Sequence, residues 1–231
     1  VVHAFVAAED KSFFTHGGID YRGMTRGVLN TVRNKILGSG GMEGGSTITQ
    51  QYIKNTYLTS EDAAAAAARW TGEAGPLIIA DYADNPGSGA YGDATNLLAA
   101  MLKAEVKDAC FGPLVDPEAV AVLQTHEIGA DVELMIGGKT APEFGGGPIT
   151  VRGTLRWKGD GRVVGSGPIL GGLERSFGAT AVLEVAGIQI LIVSIAHQML
   201  DLRQFEAFGI MPSQKAIVAL KSMQHFRAAF A

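Results

Sequence analysis

The sequence holds a single cysteine, Cys110, so no disulfide can form within the chain. With small and apolar neighbours, that thiol reads as a buried hydrophobe and not as a nucleophile. There is no excess of positive charge either: 19 Lys and Arg face 23 Asp and Glu, for a net charge of −4. A domain that grips phosphate backbones is usually basic, so nucleic acid is not an expected partner. An uninterrupted apolar run is also missing. The most apolar stretch, residues 179–200, contains Glu184, Gln189 and His197 and is broken by Ala186-Gly187, which predicts two buried strands around a turn and no transmembrane span. Histidines number only five, with no His-Glu-x-x-His and no cysteine pair, so a zinc centre has few ligands to draw on. Val1 opens the sequence, and a leader or anchor falls outside what it can report.

What is present is 231 residues, 47% hydrophobic and 18% charged, the composition of a globular protein. The periodicity changes along the chain. Over residues 3–37, Phe5, Phe13, Phe14, Met24, Val28, Leu29, Val32 and Ile36 form apolar stripes of helical spacing, broken at His16-Gly17-Gly18. A Gly-rich loop, 39–45, precedes a further helix over 47–58. Six alanines, Ala63 to Ala68, and then Arg69-Trp70-Thr71-Gly72 read as a helix end or a linker. Beyond them a strand over 76–82, a helix over 94–105, a strand over 108–114 and a helix over 117–128 capped by Asp116 alternate. Strands over 132–136, 149–157, 180–185 and 188–194 follow, then a helix near 202–208 and a strand over 216–220. The predicted fold is mixed α/β: a helical N-terminal segment, then an α/β to α+β domain with a mixed sheet. The predicted divisions are 1–62, a seam or linker at 63–75, and 76–231.

The first part carries chemistry. Joining two sugars requires a base to take a proton from the acceptor hydroxyl, and a positioned carboxylate is the usual solution; Glu9 is the candidate. A polyanionic leaving group is held by backbone N–H groups, hydroxyls at a helix start and a lysine, and Gly44-Gly45-Ser46-Thr47 with Gln50, Gln51 and Lys54 supplies such groups. Two stretches, Glu9-Asp10 through His16-Gly17-Gly18-Ile19-Asp20 and Gly45-Ser46-Thr47-Ile48-Thr49-Gln50-Gln51 with Lys54-Asn55, resemble the first two motifs of the peptidoglycan glycosyltransferases. That resemblance implies Glu9 as general base, Ser46, Thr47, Gln50, Gln51 and Lys54 near a donor pyrophosphate, a lipid II-like substrate, a lysozyme-like helical fold and a membrane-associated place on the cell-wall side. It covers about 62 residues and ends with Asp62 where the family has an arginine. The later motifs, including the second glutamate, have no counterpart. A base without its partner carboxylate and cleft wall lacks the positioning that supplies much of the rate, so this part is expected to be inactive.

In the second part, Asp84-Asn85-Pro86-Gly87-Ser88-Gly89-Ala90-Tyr91-Gly92-Asp93 sets a turn in which Gly87, Gly89 and Gly92 let backbone approach a ligand. It reads as an anion or carboxylate cradle. The same glycines satisfy G-x-G-x-x-G, but Asp84 and Asp93 would repel a pyrophosphate, and a tight turn without ligand explains them equally well. This loop, Asp116-Pro117-Glu118-Ala119-Val120, Ile136-Gly137-Gly138-Lys139, Ser194 with Gln198 and Asp201, and the segment from Lys221 to Phe230 together resemble the C-terminal domain of the MlrC, or microcystinase, metallopeptidase family. The resemblance implies zinc-dependent hydrolysis of a linear peptide, with the metal ligands in an N-terminal domain outside this chain and no cofactor held here. His197 and Asp201 would share a face if a helix ran through them, and read as a capped or surface pair. His225 and Arg227, in a basic segment, are the candidates to bind a substrate carboxylate or a neighbouring domain. Four functions compete: a composite chain incomplete as an enzyme in both parts, an active glycosyltransferase using Glu9, a non-catalytic module binding anions or peptides, and a residual metallohydrolase, which would require stoichiometric zinc.

Overall fold

The computed structural model describes residues 59–71 and 75–230. The chain divides into two compact units, Val1–Thr59 and Ser60–Ala231, and every described element belongs to the second. Glu9, Ser46, Thr47, Gln50, Gln51 and Lys54 lie outside the described residues.

The second unit is built on a seven-stranded mixed sheet, ordered β1-β9-β2-β8-β7-β4-β3. Its strands are β1 (Leu77–Ala80), β2 (Ala109–Val115), β3 (Asp131–Ile136), β4 (Ile149–Gly159), β7 (Thr180–Val185), β8 (Ile188–Val193) and β9 (Ile217–Leu220). Strands β1, β9, β2 and β8 run parallel, while β8, β7, β4 and β3 alternate in direction. A short hairpin of β5 (Arg162–Val164) and β6 (Glu174–Ser176) stands apart from the sheet. The helices are α1 (Ser60–Ala68), α2 (Asn96–Lys103), α3 (Pro117–Gln124), α4 (Pro142–Gly145), α5 (Arg203–Glu206) and α6 (Arg227–Phe230). Among the described residues no helix is long and apolar enough to cross a membrane.

The parallel strands are apolar almost throughout, Gln189 of β8 excepted, because both faces are covered. Side chains alternate across a strand: Leu77, Ile79, Ile190, Ile192, Ile217 and Ala219 join α1, α2 and α3 in one core. Ile78, Ala80, Leu191, Val193, Val218 and Leu220 join Met199, Phe205, Phe208 and Phe226 in the other. In β2 the register shifts between Phe111 and Leu114, so these two residues, three apart, point into the same core. Each large side chain buried this way contributes about 1.5–3 kcal/mol.

Helix α3 begins at the expected place, with the Asp116 carboxylate accepting from the Ala119 N–H at 3.0 Å and Pro117 opening the first turn. The turn joining β7 and β8 is formed by Ala186 and Gly187, with φ of 51° and 90°. Of the two readings of residues 63–68, helix end and linker, the helix is what forms, and Ala64 and Ala67 lie in the first core. Other expectations change. The predicted helix near 202–208 is a single turn, Arg203–Glu206, and residues 197–201 are not helical, so His197 and Asp201 share no helix face. The β5–β6 hairpin was not anticipated, since three-residue strands in a Gly-rich stretch leave no alternation to read.

Candidate functional site

The buried polar residues of the second unit gather at the carboxyl ends of the parallel strands, the edge where open α/β sheets usually take their ligands. Asp81 and Asp84 follow β1, Asp116 follows β2, and Lys221 and Ser222 follow β9. Lys221 is fully buried. Its ammonium donates to Asp84 Oδ2 at 2.7 Å, Asp81 Oδ2 at 3.0 Å and the Ala94 carbonyl at 2.9 Å, and stands 5.3 Å from the centre of the Phe111 ring. An ammonium taken out of water has three donors to satisfy, and all three are used.

Asp84 is the centre around which its loop closes. Its Oδ1 accepts from Gly92 N at 2.7 Å and its Oδ2 from Ala94 N at 2.8 Å. Gly87 N donates to Asn85 Oδ1 at 3.0 Å, and Gly89 N to the Pro86 carbonyl at 3.1 Å. The amides expected to cradle an external anion are therefore spent on the chain's own oxygens, and the carboxylate that fills the cradle is Asp84. Glycine is demanded here by packing: a Cβ at Gly87 would strike the Gln198 carboxamide, and Gly92, at φ +79°, would place one 2.7 Å from Val115 Cγ2.

The other buried aspartates act in the same way. Asp93 Oδ2 accepts from Lys139 N and Thr140 N at 3.0 and 2.8 Å. Asp116 Oδ2 accepts from Gly137 N at 2.8 Å, while its Oδ1 takes the Lys139 ammonium at 2.8 Å in addition to its capping bond. Burial pulls the Lys139 pKa down, but hydrogen bonds and charge from Asp116 and Glu118 outweigh it and hold the ammonium above the ordinary lysine value. Asp201 Oδ2 accepts from Ser166 N at 2.9 Å and Gly167 N at 2.6 Å, and its Oδ1 from Arg203 N at 2.9 Å. Each carboxylate thus pins a loop by charge-assisted bonds to backbone.

His225 and Arg227 are exposed, and neither side chain has a hydrogen bond or ion pair among the described residues. Their segment reaches the Asp84–Asp93 loop through Gln198, which packs under Gly87 and donates to Ser222 Oγ at 3.1 Å. Ser222, at the start of that segment, is thus tied through Gln198 to Gly87 of the loop. Metal chemistry fits these residues poorly. His197 Nε2 meets the Ser176 carbonyl at 3.0 Å, Asp201 is committed to amides, and among the described residues no three His, Cys, Asp or Glu converge. Burial pushes the Cys110 thiol up to about 12, so it stays protonated and unreactive. The residues that sequence reasoning left out of the site are Asp81, Asp84, Asp116, Lys139 and Lys221. A charged residue at the end of an apolar strand was the available signal for Asp81, Asp116 and Lys221.

Comparison with known proteins divides the chain along similar lines. The family description Transglycosylase matches residues 1–73, and MlrC C-terminus matches residues 79–231. Microcystinase C from Sphingomonas sp. is 36% identical over 155 residues, covering 67% of this chain and 30% of that protein. Penicillin-binding protein 1A from Rickettsia prowazekii (strain Madrid E) is 49% identical over 61 residues, covering 26% of this chain and 8% of its own length. The crystal structure of a candidate metallopeptidase from Mesorhizobium sp. BNC1 has a TM-score of 0.66 at 23% identity, covering 84% of this chain and 40% of that one, a likeness of fold. The chain spans less than a third of either curated relative. Its similarities are composite, and through residues 79–231 it belongs to the MlrC family by that family's C-terminal domain.

Proposed function

We propose that neither part of this composite chain completes a catalytic centre by itself, and that the second unit is a recognition module taking an acidic linear peptide. The observation that carries this reading is the contrast along the carboxyl edge. Asp84, Asp93, Asp116 and Asp201 are all consumed in fastening loops, whereas His225 and Arg227, in the segment that follows β9, stand exposed with no hydrogen bond or ion pair among the described residues. A guanidinium there offers a bidentate partner to a peptide carboxylate. In this reading the family's hydrolytic zinc is held by a domain other than this one. Titration of the full chain with a linear acidic peptide should give saturable binding, weakened about tenfold by Arg227→Ala, the loss of one charge-assisted bond. A parent chain that binds no such peptide, or that purifies with one zinc per chain and hydrolyses the peptide, overturns the reading.

The match of residues 1–73 to Transglycosylase supports a second reading, a glycosyltransferase with Glu9 as base. Incubation with lipid II distinguishes the two: the proposal expects no polymer, and polymer abolished by Glu9→Gln would establish the alternative.

A further inference from the structure

The two family matches leave α1 on the wrong side of the join. Transglycosylase runs through residue 73 and MlrC C-terminus starts at residue 79, so by similarity the alanine helix is glycosyltransferase. Its packing says otherwise. Ala64 is 1% exposed and Ala67 3% exposed, and both lie in the core shared with Leu97, Leu98 and Met101 of α2. They are three apart, which puts them on one helix face. Alanine at both positions lets the two helix backbones approach closely, where any longer side chain would have to find room in a close-packed core. Beyond α1, the indole N–H of Trp70 donates to the Gly75 carbonyl at 2.9 Å. Leu77 N then donates to the Ala216 carbonyl at 2.8 Å, which carries the chain straight into β1. Helix α1 and strand β1 both belong to the sheet-bearing unit.

We infer that the join between the two ancestries falls at Thr59-Ser60, and that α1 is the first element of the MlrC-type domain. Ala64 and Ala67 make the alanine helix a packing element and not a tether, and the glycosyltransferase-like part is limited to residues 1–59.

The buried thiol of Cys110, the only cysteine, reports unfolding of the second unit in the full chain. At a fixed intermediate urea concentration, Ala67→Glu, which forces a carboxylate into the core, should raise the rate of Cys110 labelling by a disulfide reagent at least tenfold. Ala68→Glu, on the exposed side, should leave it within about twofold. Where Ala67→Glu gives no folded protein, Ala67→Ser provides the milder step, with a rise of a few-fold. Trypsin adds a separate readout. After cleavage at Lys54 and Arg69, the peptide spanning residues 55–69 should stay bound to the remainder during size exclusion. Labelling rates unchanged by Ala67→Glu, or loss of that peptide from the remainder, would overturn the assignment and restore a linker.

Discussion

Lys221 Nζ stands 2.7 Å from Asp84 Oδ2, inside a unit where Lys221 has no exposed surface at all. The pair joins the end of β9 to the loop after β1, and through Gly92 and Ala94 it sets the shape of that loop.

Removing one member of such a cluster leaves charge buried without compensation, which costs about 3–5 kcal/mol. Lys221→Met should therefore lower the free energy of urea unfolding by about that amount. Adding Asp84→Asn should cost less in the Lys221→Met background than in the parent, because one of the stranded carboxylates is then gone. Additive costs for the two changes would show that the pair is not coupled.

Lys139 gives a pH dependence of defined sign. Its pKa lies above the ordinary 10.5 in the folded chain because Asp116 and Glu118 outweigh the opposing effect of burial. A raised pKa means that its stabilisation is fully present below pH 10.5 and is lost as pH rises through the folded value. Chemical denaturation of the parent and of Lys139→Met should therefore differ most near neutral pH, the gap closing above pH 10.5. A gap that widened with pH would contradict the Asp116 pairing.

Cys110 behaves in the same direction for a different reason. Burial raises its thiol from 9.0 to about 12, so the folded chain retains a proton that the unfolded chain releases above pH 9. Its contribution is complete below pH 9 and is lost between there and pH 12. At pH 8 the thiol should resist labelling in the native chain and react stoichiometrically in urea, at a rate following global unfolding. Rapid labelling without denaturant would place the sulfur at the surface.

The strands of the parallel half were legible because apolar runs such as Ile-Val-Ala-Leu at 217–220 need no partner to be recognised, and Asp116-Pro117 announced the start of α3 by local chemistry alone. Lys221 was not legible. Beside Arg227 and His225 it looked like part of a basic surface, and its burial follows from Asp81 and Asp84, 140 and 137 residues away, beyond any local window. The Gly87–Gly92 loop was recognised as a place where amides gather around an anion, but spacing does not say whether the anion comes from outside or from the preceding aspartate. Ala63 to Ala68 was ambiguous for a related reason: alanine favours helix wherever it lies, and only contact with α2 distinguishes a core helix from a tether.

The aspartate clamps at the carboxyl edge have an evolutionary consequence. Because each loop is secured by one acid and two or three backbone amides, an exposed side chain outside those bonds, such as Tyr91, can be exchanged while the loop keeps its course, so this edge can acquire new specificities without disturbing the sheet that carries it.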